Sequence, residues 1–547
     1  MNTEMLLGDE AVGLAALHSG ISGAFSYPGT PATEIFEFIE TRRDRDGRAA
    51  EVHATWSANE KVAYEEALGM SFVGRRAIVS MKHVGLNVAL DPFMSSALTG
   101  ARGGFVLAVA DDPGMHSSQN EQDSRYLGDF ARIPVFEPSN QQEAYDMTRE
   151  AFEMSERWGL PIMLRLVTRL AHSRSAVHIG TYDHGPGQHG LERGDGAKLA
   201  PIDWRQWTLL PPNARQRYRR LLEMQTVLRE YSEHSSFNRL ELSGPRGIIA
   251  CGLAHNYVRE AIGDDPRYSV LKICTYPPPV RLLRELLDHC EEVLVVEEGY
   301  PYLERLLTGL LGMPGKRISG KLSGALPPDG EMTVDRVRAG LGLPANLQER
   351  TGVPEALPAR PPRLCDGCPH CDTFGAMMAA LEGYPSAYLL SDIGCYSLGA
   401  LPPYNAVQAC VDMGASISMA HGAAKAGAWP VVCTIGDSTF THSGMTGLIG
   451  AARENADMTV IILDNATVAM TGGQEALATG DELLKLLAGL GVPPEHTVRI
   501  DPLPKHHAHN MAVLRREIEY HGLSVIVAHR ACIHHVRRTK AGAYATA

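Results

Sequence analysis

Short apolar runs alternating with stretches of helical periodicity fill residues 1 to about 178. SGAFSYPGTP reads as a strand leaving into a Gly/Pro turn, and PATEIFEFIET as the helix that follows. RRAIVSMKH, GGFVLAVADD and ARIPVFEPS are further short β-rich runs. EAYDMTREAFEMSERWG has helical spacing, and LPIMLRLVT closes the block as a strand. Strands alternating with helices predict a parallel sheet covered on both faces. Residues 179–243 are rich in His, Gly, Arg and Gln, carry a helical stretch around Asn213–Tyr231, and read as a linking excursion. A smaller α/β block runs over 244–342, with GIIACG, YSVLKIC and EEVLVVEEG as strands and YVREAIG and PVRLLRELLDHC as helices. Pro344, Pro354, Pro358, Pro361 and Pro362 mark 343–363 as an extended linker. A third block, 364–547, contains the strands PVVCTIGD, MTVIILDN and LSVIVAHR. The expected class is α/β, with two larger parallel-sheet domains and a smaller α/β domain between them.

Composition narrows the class of protein. A chain of 547 residues holds about three to five domains at roughly 100–200 residues each. With 44% apolar and 21% charged residues, disorder and fibrous structure are excluded. The net charge of −12, without a basic stripe, argues against nucleic acid as a partner. No run approaches the ~20 apolar residues of a membrane span. The start, MNTEMLLGDEAVG, has no secretory pattern, so a cytoplasmic location with reduced thiols is expected. Of ten cysteines, three fall within Cys365–Cys371, a clustering that favours metal over disulfides there.

The first chemical signal is Gly436-Asp437-Ser438, separated from Asn465 by 26 residues. PVVCTIG delivers Asp437 to a strand end, and TVIILD delivers Asn465 to another. Parallel sheets bind ligands at these carboxyl ends. An Asp carboxylate and an Asn amide oxygen suit Mg²⁺, which leaves room for phosphate oxygens. Gly436 permits close approach of the backbone. A plain strand-end Asp and a turn-forming Asn are the competing reading. The pattern resembles the thiamine diphosphate signature, a GDG-type turn followed at this distance by Asn, with Ser438 in place of the last Gly. That resemblance implies a metal bridge to the diphosphate from Asp437, Asn465 and the main-chain carbonyl of Thr467.

The second signal is WSANEKVA, which opens a helix with Glu60 in the first block. Thiamine chemistry needs a carboxylic acid beside the aminopyrimidine, and a desolvated Glu suits this. A solvated helix charge is the plain alternative. Since thiamine enzymes pair a pyrimidine domain with a diphosphate domain, Glu60 is the expected activating acid.

The third signal is Cys365-x-x-Cys368-Pro-His-Cys371, then SDIGC ending at Cys395, and a late Cys532. Four thiolates hold a [4Fe-4S] cluster, and structural zinc is the competitor. Cys251, Cys274, Cys290, Cys410 and Cys433 read as core thiols. His83 and His442 lie beside these motifs. Arg165 and Arg169 close the first block, where a substrate carboxylate and an ordinary ion pair are both possible partners.

MLLGDEAVGLAALHSG, SYPGTPATEI, WSANEKVAYEEALG, MKHVGLNVALDP, DDPGMHSSQNEQDSRY, CDGCPH, SDIGCYSLG and GDSTFTHSG occur in order along nearly the whole chain. Together they closely resemble the alpha subunits of indolepyruvate:ferredoxin oxidoreductase, in the thiamine-dependent 2-oxoacid:ferredoxin oxidoreductase superfamily. The resemblance implies two thiamine diphosphate-type domains at 1–178 (pyrimidine) and 364–547 (diphosphate), around a transketolase C-terminal-like domain at 244–342. It implies thiamine diphosphate, Mg²⁺ and one [4Fe-4S] cluster on Cys365, Cys368, Cys395 and Cys532. The implied reaction is oxidative decarboxylation of an aryl pyruvate with coenzyme A, of the indolepyruvate-type EC 1.2.7.8 class. The implied partners are a smaller beta subunit and a ferredoxin or other electron acceptor, in a dimer of heterodimers. Members usually carry a C-terminal ferredoxin-like module, expected to be absent here, and Arg where this chain has Cys371. A spare thiol is the simpler reading of Cys371. Two other readings stand beside this one: a non-oxidative aryl-pyruvate decarboxylase, which needs no cluster, and a non-catalytic electron-relay or assembly protein, which needs no thiamine site.

Overall fold

The computed structural model describes residues 2–47, 49–179, 204–344 and 362–537. The first part of the 179–243 excursion, residues 180–203, and most of the 343–363 linker therefore lie outside the described residues. The chain forms two compact units, Met1–Thr351 and Gly352–Ala547.

The first unit contains a seven-stranded sheet. Its order is Thr275–Tyr276, Val135–Phe136, Ile162–Val167, Phe105–Asp111, Ala77–Lys82, Gly23–Ser26 and His53–Trp56. All neighbours are parallel except Thr275–Tyr276, which runs antiparallel to Val135–Phe136. The strands Ala77–Lys82, Phe105–Asp111 and Ile162–Val167 are buried at every position, which explains their largely apolar sequences, interrupted by Ser80, Lys82, Asp111 and Arg165. The helix Gln141–Trp158 starts with Asn140, whose side chain accepts from the Glu143 N–H, and ends at Gly159 in the left-handed region. A separate ribbon pairs Asn2–Leu7 antiparallel with Arg174–Ile179.

A five-stranded sheet also belongs to this unit. Its order is Arg317–Ser319, Glu292–Val296, Arg246–Cys251, Tyr268–Ile273 and Arg239–Glu241, with only the last antiparallel. Buried charge joins it to the seven-stranded sheet. The Arg125 guanidinium lies 2.5 Å from Asp123 and 2.9 Å from Glu297, and donates to the Glu298 carbonyl at 2.9 Å. Arg165 pairs with Asp111 at 2.6 Å and with Glu137. Both arginines are fully buried, so Arg165 serves an internal ion pair. Arg169 pairs instead with Glu331 at 2.5 Å, tying the first block to the middle one.

The second unit has one six-stranded, wholly parallel sheet. Its order is Ala409–Cys410, Tyr388–Ser391, Val431–Gly436, Met458–Asp464, Leu523–His529 and Thr497–Ile500. The fold is thus α/β with several parallel sheets. No helix among the described residues is long and apolar enough to cross a membrane.

Removing one partner of a buried ion pair leaves a stranded charge. Arg165→Met should therefore cost about 3–5 kcal/mol of stability. Denaturant titration checks this, and a loss under about 1 kcal/mol would mean the carboxylates find other partners.

Candidate functional site

Four adjacent strands of the second unit send their carboxyl ends to one edge of the sheet. Tyr388–Ser391 leads to Cys395, Val431–Gly436 to Asp437, Met458–Asp464 to Asn465, and Leu523–His529 to Cys532. Parallel order alone makes these four loops neighbours, as the carboxyl-end rule for ligand sites requires.

Asp437 opens a helical turn, Asp437–Thr439, that continues through a π-helical segment, Phe440–Gly444, into the helix Met445–Arg453. Its carboxylate accepts from the N–H of Ser438 at 2.7 Å and of Ala466 at 2.8 Å. Burial, followed by the nearby Asp464, pushes the Asp437 carboxyl up to about 8. A bound divalent cation would offset both causes. The Ser438 hydroxyl is buried and has no hydrogen-bond partner. A diphosphate oxygen would satisfy it. On these two observations the turn fits a metal–diphosphate group. Gly436 has a further role: a Cβ there would meet the Tyr396 ring at 2.7 Å. The Tyr396 hydroxyl lies 3.1 Å from the Ile393 carbonyl and 3.2 Å from Thr439 Oγ1, binding the Cys395 loop to the Asp437 turn.

Asn465 is 8% exposed and ties three segments together. Its Oδ1 accepts from the Thr467 N–H at 3.1 Å, and its carbonyl accepts from the Cys532 N–H at 2.9 Å. Its Nδ2 donates to His370 Nε2 at 3.3 Å. Burial depresses the His370 pKa to about 4, leaving a neutral ring that can accept this bond. His370 stands two residues after Cys368 in the helix Pro369–Ala380. Thr467 is buried, and its hydroxyl donates to the Gln474 carbonyl at 2.9 Å across a short hairpin. Between Asn465 and Thr467, Ala466 adopts a φ of 60°.

The thiols gather around the same junction. Arg530 donates to the Gly367 carbonyl at 2.9 Å and pairs with Asp372 at 2.7 Å, fastening the Cys532 segment to the Cys365–Cys371 loop. Cys365 is exposed, Cys368 and Cys395 are half-buried, and Cys532 is buried. Burial, then Cys532 and Cys365, pushes the Cys395 thiol up to about 11. Cys368 is pushed up to about 12, chiefly by burial, with Cys371, Cys395 and Cys365 also contributing. Cys371 is half-buried, with its Sγ 3.9 Å from the Cys365 carbonyl. Tetrahedral zinc would hold its sulfurs about 3.8 Å apart. Among the described residues no three of these thiols lie within 4.8 Å of one another.

Glu60 lies in the first unit, at the start of the helix Glu60–Phe72, which Asn59 caps by accepting from the Val62 N–H. It is 5% exposed, so it is not a solvated helix charge. Its carboxyl rests on Gly85: a Cβ there would lie 2.6 Å from Glu60 Oε1. His83 opens the helix His83–Val88 that carries this glycine, and its Nε2 lies 3.2 Å from the Asn120 carbonyl. His442 is buried with Nδ1 2.6 Å from Ser443 Oγ.

Sequence reasoning missed Gly85, His370 as the partner of Asn465, and Arg530. It also missed Asp464, which accepts from the Gly480 N–H at 2.6 Å and pairs with His529 at 2.6 Å. Only Asp464 carried a local signal, an acid ending an apolar strand.

Residues 392–525 match the family model described as thiamine pyrophosphate enzyme, C-terminal TPP binding domain. Residues 14–198 match pyruvate flavodoxin/ferredoxin oxidoreductase, thiamine diP-binding. The indolepyruvate oxidoreductase subunit IorA of Archaeoglobus fulgidus is 38% identical over 96% of this chain and 86% of its own length. That of Pyrococcus abyssi is 38% identical over 96% of this chain and 85% of its own. A solved 2-oxoglutarate:ferredoxin oxidoreductase from Magnetococcus marinus shares 16% identity at a TM-score of 0.45, covering 58% of this chain and 62% of that one.

The unpartnered Ser438 hydroxyl sets a specific expectation. Ser438→Ala should leave the unfolding midpoint unchanged, because no bond within the protein is lost. It should weaken thiamine diphosphate binding about tenfold, the worth of one hydrogen bond to a charged group. Titration calorimetry with thiamine diphosphate and Mg²⁺ reads both the affinity and any failure of this expectation.

Proposed function

Since the chain belongs to the IorA family of indolepyruvate oxidoreductases, we propose that it oxidatively decarboxylates aryl pyruvates of the indolepyruvate or phenylpyruvate type. The acyl group goes to coenzyme A, and the electrons leave through one [4Fe-4S] cluster. The observation that carries this reading is the Asn465 junction. The Asn465–Ala466 segment contacts both the Asp437 carboxylate, through the Ala466 N–H, and the cysteine segments, through His370 and the Cys532 N–H. A non-oxidative decarboxylase has no use for thiols at that position, and a pure electron relay has no use for Asp437 and Glu60.

Asp437, Asn465 and the Thr467 carbonyl would hold Mg²⁺, with Gly436 and Ser438 against the diphosphate. Thiamine diphosphate, when bound, supplies the carbon nucleophile and the electron sink for decarboxylation. Glu60 would exchange a proton with the aminopyrimidine ring, and Gly85 fixes where its carboxyl sits. Cys365, Cys368, Cys395 and Cys532 would hold the cluster, which carries one electron at a time. His370 keeps Asn465 oriented and cannot readily take a proton itself, because burial holds it neutral. A smaller beta subunit completes the enzyme in a dimer of heterodimers, and a ferredoxin or another carrier accepts the electrons. A cytoplasmic location agrees with free thiols. The test is anaerobic purification with the smaller subunit, followed by assay with aryl pyruvates, coenzyme A and a soluble acceptor. Carbon dioxide release without acceptor reduction would replace this reading by the non-oxidative one.

Glu60→Gln should keep thiamine diphosphate bound yet lower turnover about a hundredfold or more, the usual worth of a positioned acid. Gly85→Ala should reproduce the loss by displacing the carboxyl. Unchanged turnover in Glu60→Gln would assign proton transfer to another group.

Roughly four irons per chain are expected, lost in Cys532→Ser and retained in Cys371→Ser. Metal analysis decides: zinc in their place, or the reverse pattern of loss, would give a different ligand set.

A further inference from the structure

Three side chains of the first unit converge, none of them among the residues given a role above. Asp9 lies in the first turn of the helix Gly8–His18, Glu34 in the first turn of Thr33–Arg45, and His172 ends Thr168–His172. One donor atom from each lies within 4.8 Å of the other two. Gly8 makes the convergence possible. A Cβ there would collide with the Leu170 carbonyl, so only glycine lets this helix start meet the segment carrying His172.

His172 Nε2 and Glu34 Oε2 are 3.3 Å apart, an ordinary ion pair at a half-exposed site. That pair accounts for two of the three groups and leaves the third unexplained. Asp9 is fully buried, and neither of its carboxylate oxygens has a hydrogen-bond partner. Burial is the main cause raising its pKa well above the usual carboxylate range, and Glu34 and Glu10 add to it. Glu10 is engaged elsewhere, accepting from the Leu7 N–H at 2.8 Å and pairing with Arg174 at 3.0 Å. Protonating Asp9 would still leave its hydroxyl and carbonyl unpaired. Buried polar groups are nearly always satisfied, so two bare oxygens beside a carboxylate and an imidazole mark a place for a cation.

We propose that Asp9, Glu34 and His172 bind a divalent first-row transition-metal cation. Two carboxylates and one imidazole suit Mn²⁺, Fe²⁺ or Zn²⁺. Bonds of about 2.0–2.2 Å place such donors roughly 3–4 Å apart, within the span observed. The partial exposure of Glu34 and His172 leaves a side open for water to complete the coordination. The site would join the starts of two helices to the end of the segment after the strand Ile162–Val167, so its role is to fix that corner of the sheet.

The test uses the full chain with Asp437→Ala in place, which removes the other cation site proposed above and keeps the two readings separate. After chelation and desalting, Mn²⁺ alone is added without thiamine diphosphate, and bound metal is counted by electron paramagnetic resonance. The parent should hold one more Mn²⁺ per chain than either Asp9→Asn or His172→Ala. Its spin-echo signal should show one coordinated imidazole nitrogen that disappears in His172→Ala. His172 is partly exposed, so that variant keeps the fold and carries the test if Asp9→Asn does not. Equal Mn²⁺ in parent and His172→Ala, or a nitrogen signal surviving that substitution, would overturn the proposal.

Discussion

The bonds of one amide, Asn465, hold the second unit's site in shape. Its side chain and carbonyl connect the turn at Thr467, the return segment at Cys532 and the helix carrying His370. The backbone accommodates this through Ala466, whose φ of 60° costs about 1–2 kcal/mol for a residue with a side chain. The Ala466 N–H is held by Asp437 at 2.8 Å, so the strained residue is fixed by the carboxylate of the neighbouring loop. Asp464 strengthens the arrangement from behind through Gly480 and His529. Losing any one of these contacts would loosen the Asp437 turn and the Cys532 segment.

The first unit is held together differently. Its two sheets meet over buried arginines and carboxylates rather than over apolar surface alone. Such pairs add little net stability, but breaking one strands a charge. Glu60 is held by a separate contact. A buried carboxyl resting against a glycine backbone keeps its position only while the two helices bearing Glu60 and Gly85 stay in register.

Much of this was legible in the sequence, for physical reasons that also mark the limits. Strands buried on both faces, such as Phe105–Asp111 and Met458–Asp464, appear as near-continuous apolar runs. The ribbon strand Asn2–Leu7 and the two-residue strand Thr275–Tyr276 have no such pattern, because distant partners define them. Asp437 and Asn465 stood out because their spacing spans one crossover between neighbouring strands. The approach of Cys395 and Cys532 depends on strand order, which periodicity does not encode. His370 has no local signal of its role, because only the fold places it against Asn465. Gly85 is informative only once Glu60 is seen lying on it.

The edge strand Thr275–Tyr276 bears on how the chain is made. A nascent polypeptide that has left the ribosome only as far as His178 already holds every parallel strand of the seven-stranded sheet. Its Val135–Phe136 edge is still open, and Arg125 still lacks Glu297. About a hundred further residues must emerge before that edge is covered and that charge is paired. Until then the fragment exposes a template for pairing with other chains. The natural length for a separately produced piece of this protein is therefore the whole first compact unit, not its first sheet.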